Sequence, residues 1–414
     1  MSESDKTPAL IMVCIVLLSL FPVAGYLTIV VLLSRYIRSN KFGELLNVIK
    51  KDPGLIFLMS SFALSALFTK QHFASLAGII VLALQVSLYV IIRKDVRDRE
   101  GNFKIMRYLL IASFFVSTFG IFQYNFFPHM PVNWVDKDLY AISNRAFSTL
   151  YNPNVLGSYL IIIISVTLAG FRCSDGRYHL LTTSLVLIAA ILCMYLTLSR
   201  GAWLGLAVSI FIIFVFSKHK RYIVAILAFA ILTMLALEAL LEIPLLSRMN
   251  LDVLTQDSSI AYRWPLWKFA FKTFTENPLF GSGIGSFGFY VPSHFKASGY
   301  LVSHAHNIYL QLLAETGLLG FVGFMGFAVT AMYVSFKLFR LSSCQQTRCL
   351  SMGVLASCVG LFAHGVIDAT LYLPQLSIFM WVLIAVIRNI GDLEFVQTYH
   401  KKNPVYLSQS SIRF

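Results

Sequence analysis

"FASLAGIIVLALQVSLYVII", residues 73–92, carries no charged side chain. A helix needs roughly 20 apolar residues to cross the hydrocarbon core of a bilayer, and this stretch has that length. The whole chain shares its character, since 57% of the 414 residues are hydrophobic, only 13% are charged, and the mean hydropathy is +0.74. These values predict an integral membrane protein built from helices.

Comparable apolar runs occur along the chain and predict eleven spans, give or take one. They lie at 9–34, 53–69, 73–92, 105–126, 154–171, 179–198, 202–216, 221–241, 317–337, 349–367 and 371–388. Pro22 and Gly25 interrupt the first run, which is too short for two full crossings and too long for one untilted crossing. The predicted fold is all-α, a polytopic membrane helix bundle of about eleven or twelve transmembrane helices. We expect it to form a single integral membrane domain over residues 1–414.

The formal charge of +14 is explained by topology. Most of the 33 Lys and Arg residues fall in alternate loops, at 35–51, 93–104, 172–177, 218–221, 337–348 and after residue 387. The positive-inside rule makes these loops cytoplasmic and argues against a nucleic-acid partner. The acidic N-terminus MSESDKTPAL predicts no cleaved signal peptide, and the six cysteines, none of them in an outer loop, predict no disulfide framework.

Two segments on the opposite side exceed a simple turn: an outer loop at 127–153 and a large outer loop at 242–316. Loops of such length are usually functional. Within the large loop, YRWPLWKFAFKTFTENP predicts a short helix that begins at Pro265 and lies along the membrane surface, because its aromatic residues fall at helical spacing. An aromatic-belt anchor is the alternative interpretation of this helix.

Two short motifs in these loops are weak signals. GSGIGSFG matches GxGxxG at Gly283, Gly285 and Gly288, but a dinucleotide site needs a preceding strand, so a tight or flexible loop is favoured. Asp136 and Asp138 form a DxD pair of the kind that binds a divalent cation. A solvated turn is the favoured interpretation of that pair, with a metal site left open.

Arginines recur on the predicted outer face of the protein. Arg200 in LTLSRGAWLG, Arg145 in SNRAFSTLYNPNVLG and Arg263 in AYRWPLW are all predicted on the same face. A single arginine there would be explained by a side chain that reaches the interface. Three together suit a diphosphate, because the guanidinium group donates paired hydrogen bonds and keeps its charge.

The stretch SHAHNIYLQLLAETGLLG places His304, His306 and Asn307 at the start of an apolar helix. Zinc is one interpretation of the HxH spacing, but two ligands do not complete a site. We predict His306 as a general base, with His304 and Asn307 in support, since a neutral imidazole accepts a proton from a hydroxyl group. Capping of the helix is the structural alternative.

The stretch AHGVIDATLYLP adds His364 within a span and Asp368 at its outer end. Ionisable groups at such positions suggest function. Asp368 would orient a histidine or pair with an arginine. Hydrogen bonding within the bundle is the simpler explanation of His364.

Taken in order, YNPNVLGSYL, LTLSRGAWLG, YRWPLWKFAFKTFTENPLFGSGIGSFG and HAHNIYLQLLAETGLLG resemble the O-antigen ligase and O-antigen polymerase superfamily over about residues 140–390. The resemblance implies a GT-C-like bacterial glycosyltransferase in the cytoplasmic (inner) membrane with its active site on the periplasmic face. It implies Arg200 and Arg263 as the essential arginines and His306 as the essential histidine. Arg145 and Asp368 match polar positions of the family, and Asn154 is predicted as a further supporting residue.

The reaction implied by this resemblance is metal-independent, needs no cofactor and inverts the anomeric centre. Its donor is a glycan on undecaprenyl diphosphate, and its acceptor is lipid A-core for a ligase or a lipid-linked glycan for a polymerase. We favour the ligase, in lipopolysaccharide biosynthesis. A flippase or transporter for lipid-linked sugars is the alternative from another class, although we find no repeated halves of the kind expected of transporters. A peptidoglycan polymerase of the shape, elongation and division type fits the motifs less well.

Overall fold

The structure is a computed structural model that describes residues 7–127, 144–171, 177–217, 220–241, 258–291 and 302–402. Within these ranges the regular secondary structure is helical, which confirms the all-α prediction. The helices are α1 (Thr7–Leu20), α2 (Pro22–Arg38), α3 (Phe42–Lys50), α4 (Pro53–Leu67), α5 (His72–Asp95), α6 (Arg99–Phe126), α7 (Pro153–Gly170), α8 (Arg177–Leu196), α9 (Arg200–Phe216), α10 (Lys220–Leu241), α11 (Ser258–Glu276), α12 (Phe287–Tyr290), α13 (Ile308–Leu341), α14 (Gln345–His364) and α15 (Pro374–Lys402). Short 3-10 turns lie at Ser148–Leu150 and Thr370–Tyr372.

Six of the described helices, α5, α6, α7, α13, α14 and α15, are long and apolar enough to cross a membrane. They carry six of the predicted spans and confirm a polytopic helical membrane protein. The other predicted spans fall on α1 with α2, α4, α8, α9 and α10. Four shorter apolar stretches are found on these helices, at Thr7–Leu20, Pro53–Leu67, Leu180–Leu196 and Arg200–Phe216. The total number of crossings remains a prediction.

The first predicted span is broken in two at Phe21. Pro22 begins α2, and α1 and α2 fold against each other. The Sγ of Cys14 on α1 lies 3.5 Å from the carbonyl oxygen of Gly25 on α2. A Cβ atom on Gly25 would lie 2.6 Å from the backbone nitrogen of Leu18. The span predicted at 9–34 is therefore a pair of packed helices.

Two further predictions are corrected. The surface helix begins at Ser258, so Pro265 lies inside α11 instead of starting it. Cys349 is disulfide-bonded, whereas Cys14, Cys193, Cys344 and Cys358 are free. The prediction of no disulfide framework is therefore corrected for Cys349 alone, since sequence position does not reveal which cysteines come within bonding distance in three dimensions.

Close helix contacts bring α7, α9 and α14 together behind the site. A Cβ atom on Gly360 of α14 would lie 2.0 Å from the Oγ of Ser209, and one on Gly205 would lie 2.6 Å from the carbonyl oxygen of Gly360. Small residues allow this approach of helix backbones, as is usual for helices packed in membranes. The C-terminal end of α14 therefore lies against the N-terminal turn of α9.

The bundle has two polar ends. At one end, called the basic end, Arg99 at the start of α6 donates to Glu394 on α15, and Arg93 donates to Asn389 and Asp392. At the other end, called the site end, the carbonyl oxygen of Arg145 lies 3.4 Å from Gln123 near the end of α6. The α15 segment 374–394 spans about 30 Å at 1.5 Å per residue.

Candidate functional site

Arg200 is the first residue of α9 at the site end. The hydroxyl oxygen of Ser199 caps this helix by accepting the N–H of Ala202 at 3.4 Å. The next residue, Gly201, packs so closely on α14 that a Cβ atom there would lie 2.8 Å from the ring of His364. Arg200 is thereby fixed beside the last turn of α14.

The HAHN stretch forms the start of α13. Asn307 caps the helix, because its side-chain oxygen accepts the N–H groups of Tyr309 and Leu310 at 3.0 Å each. Its side-chain amide donates to the carbonyl oxygen of Val366 at 2.9 Å. The predicted support from Asn307 therefore takes the form of a cap that ties the start of α13 to the segment after α14.

His306 precedes this cap in a left-handed conformation, with φ of 49°. Such backbone is uncommon for a residue with a side chain and often accompanies function. The indole N–H of Trp267 on α11 lies 3.4 Å from the carbonyl oxygen of His306. The cap and the indole thus hold the His306 backbone from both sides.

Asp368 is buried beside His306, and its Oδ1 lies 3.7 Å from the Nδ1 of that imidazole. The same Oδ1 accepts the N–H of Ala369 at 2.7 Å, and Oδ2 accepts from the amide of Asn154 at 2.7 Å. Burial alone would raise the pKa of Asp368, but the surrounding histidines, His306 foremost and then His304 and His364, together outweigh burial and hold the pKa below its usual range. An ionised carboxylate therefore faces the histidine.

Arg145 extends the series of hydrogen bonds that runs from Asp368 to Asn154. It donates to the side-chain oxygen of Asn154 at 3.0 Å and to the carbonyl oxygen of Thr197 at 2.8 Å. These two contacts with protein atoms suit a residue that positions Asn154 and, through it, Asp368. They favour a supporting role for Arg145 over the predicted contact with a diphosphate.

His304 is buried against His306, with 4.2 Å between the ring centroids. Its Nδ1 accepts the backbone N–H of His306 at 3.3 Å, which assigns the proton of the neutral imidazole to Nε2. Burial lowers the pKa of His304 to about 3, and the nearby His306 adds to that effect. His304 is therefore a neutral side chain at physiological pH.

Arg263 on α11 completes the group. Its guanidinium is largely buried, and burial lowers its pKa. The charge of Asp368 acts in the opposite direction, while the like charge of Arg200 lowers the pKa further, so both groups lie within electrostatic reach. The structure thus brings Arg200, Arg263 and the His306–Asp368 pair together at the site end.

The cluster offers one possible set of metal ligands. Nitrogen or oxygen atoms of His304, His306 and Asp368 all lie within 4.8 Å of one another. However, the His304 Nδ1 and both oxygens of Asp368 already accept hydrogen bonds, and two arginine charges oppose a cation. The surroundings suit an anion better. The Asp136–Asp138 pair lies outside the described residues.

The GxGxxG stretch forms a turn around a buried carboxyl group. Gly281, Gly283 and Gly285 have φ of 71°, 108° and 78°, a region that favours glycine, so the tight turn is confirmed. Backbone N–H groups of Gly285 and Phe287 donate to the carboxylate of Glu315 at 2.9 and 2.8 Å. We call this turn, residues 281–287 around Glu315, the carboxylate cradle.

The carboxylate cradle connects three parts of the site end. Tyr372 donates to the Glu315 carboxylate at 3.1 Å, and the hydroxyl of Ser65 donates to the Glu315 carbonyl oxygen at 2.7 Å. Two residues after Glu315, Gly317 interrupts the regular helical backbone of α13 with φ of 63°. The N–H of Leu318 donates to the carbonyl oxygen of Pro278. Glu315 was missed from the sequence, where the glycine-rich motif and the acid stand 30 residues apart.

The hydrogen-bond partner of His364 was not identified from the sequence. The Nδ1 of His364 lies 2.7 Å from the hydroxyl of Ser158, which lies 2.7 Å from that of Thr370. This arrangement supports the simpler interpretation of His364 as a residue hydrogen-bonded within the bundle.

Residues 185–325 match the family model Wzy_C, described as O-antigen ligase. The segment includes Arg200, Arg263, His304 and His306, and the match confirms the resemblance to the O-antigen ligase and polymerase superfamily. The family implies a membrane enzyme of the ligase or polymerase type, with a glycosyltransferase-like role in polysaccharide assembly. Among curated proteins, none matches the chain.

Proposed function

We propose that the protein transfers a glycan from undecaprenyl diphosphate to an acceptor hydroxyl on the outer face of the bacterial inner membrane. The acceptor we favour is lipid A-core, which makes the reaction an O-antigen ligation in lipopolysaccharide biosynthesis. The observation that carries the proposal is the meeting of Arg200 and Arg263 with the His306–Asp368 pair at the site end.

The chemistry follows from the charges of these groups. His306 accepts the proton of the acceptor hydroxyl while the oxygen of that hydroxyl attacks the anomeric carbon of the donor. The bond from that carbon to the lipid diphosphate breaks, and attack from the opposite face inverts the centre. Arg200 and Arg263 stabilise the charge that grows on the leaving diphosphate. The ionised Asp368 stabilises the imidazolium that forms, as the buried aspartate of a serine-protease triad does.

The test is turnover with purified protein, a glycan on undecaprenyl diphosphate and lipid A-core. We expect His306→Ala to lower kcat by about 10²–10⁴ and Arg263→Ala to lower it by about 10²–10³. Lys268→Ala, on the exposed side of α11, is the matched control and retains normal turnover. Thermal unfolding of each variant verifies that it is folded. Normal turnover by both site variants would contradict the proposal.

Metal dependence is tested in the same assay. We expect a chelator to leave the transfer rate unchanged, because the arginine charges perform the role of a cation. Strong inhibition that is reversed by added metal would redirect attention to the His304, His306 and Asp368 cluster and to Asp136 and Asp138.

Two other functions use the same site. A polymerase would extend a second lipid-linked glycan, and offering both acceptors to the purified protein distinguishes it from a ligase. A flippase would move lipid-linked glycan across vesicle membranes without forming a glycosidic bond. The close His306–Asp368 pair favours a reaction with proton transfer over transport alone.

A further inference from the structure

A second concave surface lies beside the site, on the far half of α11. It is a groove of about 270 Å³ between α11, the turn after it and the turn that joins α4 to α5. Its lining includes Phe68, Lys70, Lys272, Glu276, Asn277 and Tyr290. We call it the α11 groove.

The α11 groove and the site share one helix. The indole of Trp267 contacts the backbone of His306, and Lys272 and Glu276 follow it by five and nine residues on α11. At 1.5 Å per residue these positions lie about 8 and 14 Å further along the axis. Arg263 precedes Trp267 on the same helix, so the diphosphate ligand and the groove share one rigid element.

The lining combines an aromatic face with polar groups that are free to bind. Phe68 stacks on Phe280 with 4.4 Å between the ring centroids, and 62% of its surface remains exposed. Within the described part of the chain, the side chains of Lys70, Asn277 and Tyr290 form no hydrogen bond or ion pair. Lys272 and Glu276 contact each other only loosely, at 3.9 Å.

This combination matches a sugar chain. The apolar face of a pyranose ring packs on an aromatic side chain, and its hydroxyl groups need donors and acceptors around the rim. A lipid tail would leave the two lysines, the amide and the phenol without partners.

We infer that the α11 groove binds the sugars of the donor glycan that follow the reacting one. The inference rests on the proposed function and deepens it, since the glycan must leave the site end in a fixed direction from the diphosphate. The donor is favoured over the acceptor because Arg263, the proposed diphosphate ligand, lies on the same helix. The groove would make recognition depend on donor length.

The test compares two donors, one repeat unit and a long chain on undecaprenyl diphosphate, with the same acceptor. We expect the double variant Lys272→Ala with Asn277→Ala to raise KM for the long donor about tenfold. Its kcat and its KM for the single-repeat donor stay within about twofold of the wild-type values, because the lost contacts lie beyond the reacting sugar. Lys268→Ala, one turn away and outside the groove, is the matched control.

Tyr290→Phe, which removes only a hydroxyl group, provides a second variant if the double variant does not fold, with a smaller rise in KM in the same direction. Equal KM values for the control and the groove variants would overturn the inference. A KM change that follows the length of the acceptor at fixed donor would overturn the assignment to the donor.

Binding of a lipid-free repeat unit, measured by saturation-transfer NMR, separates the inference from the proposed function. The inference is supported, whatever the reaction, if the repeat unit binds the wild-type chain and the double variant Lys272→Ala with Asn277→Ala no longer binds it. A wild-type chain that transfers neither donor would contradict the proposed function. The NMR measurement would then decide by itself whether the α11 groove binds sugars.

Discussion

At the scale of single residues, the site depends on which protonation states the fold imposes. His304 is neutral because it is buried and because its Nδ1 receives the N–H of His306. Asp368 is ionised because of the imidazole groups around it. The site therefore contains one histidine that supports the backbone and another that faces a carboxylate.

The depressed pKa of His304 predicts a loss of stability in acid. The unfolded chain binds a proton at this histidine below about pH 6.5, whereas the folded protein binds it only near pH 3, so stability falls as the pH drops through this window. The slope reaches about 1.4 kcal/mol per pH unit. His304→Asn, whose oxygen can still accept from His306, should show a shallower decline.

The measurement is the thermal unfolding midpoint in detergent between pH 7 and pH 4.5 for both proteins. His72→Asn, which removes a histidine near the end of a helix, serves as the control. Parallel curves for wild type and His304→Asn would refute the assignment of a neutral buried His304.

The sequence predicted Arg200 and His306 because polar side chains beside apolar runs stand out, and the family resemblance of the AYRW motif added Arg263. It did not predict that Arg145, Asn154 and Asp368 form one chain of contacts, since these residues belong to separate segments joined only in three dimensions. The role of Asn307 was also ambiguous from the sequence, because a helix cap and a site residue have the same pattern.

At the scale of elements, apolar length located the helices well. It failed at α11, where a proline was expected to open the helix at Pro265 although the helix already includes Ser258. The break at Phe21 lies just before Pro22, which the sequence had marked as an interruption. The glycine-rich turn was correctly expected to be tight, but its partner Glu315 was not identified, because a buried acid within an apolar run looks like any other polar residue.

The carboxylate cradle predicts a large effect of Glu315. Glu315→Ala leaves the N–H groups of Gly285 and Phe287 without their acceptor, at about 1–3 kcal/mol for each buried group. We expect Glu315→Gln, which keeps one acceptor oxygen, to lose less stability. Glu276→Ala, an exposed acid on α11, is the control and should stay within about 0.5 kcal/mol of wild type.

Thermal unfolding ranks these three variants, and limited proteolysis reports whether residues 277–291 have become accessible. Equal stability of Glu315→Ala and Glu276→Ala would show that the cradle does not hold the turn.

At the scale of the whole molecule, the bundle separates stability from chemistry. Arg388 at the basic end pairs with Asp52, lies 3.1 Å from the hydroxyl of Tyr89 and sits over the ring of Phe327. The side chains of Arg388 and Asp52 are each only 14% exposed. Removing one member of such a pair leaves a buried charge without its partner.

Asp52→Ala should therefore lower the free energy of unfolding by about 3–5 kcal/mol. The kcat of the remaining folded protein should be unchanged, because Arg388, the partner of Asp52, lies about 21 Å along α15 from the first residue of that helix at the site end. Lys104→Ala, which removes an exposed pair with Glu100, is the control and should change stability by less than about 1 kcal/mol. A fall in kcat that matches a site variant would contradict this separation.

The carboxylate cradle also bears on the order in which the chain is made. Glu315 hydrogen-bonds to Ser65, to the glycine-rich turn and to Tyr372, and the ribosome makes Ser65 first, then the turn, then Glu315 and last Tyr372. The turn therefore emerges before the side chain that fixes it, and the hydroxyl of Tyr372 joins after both. The contacts that shape the site end are therefore complete only after Tyr372 has been made.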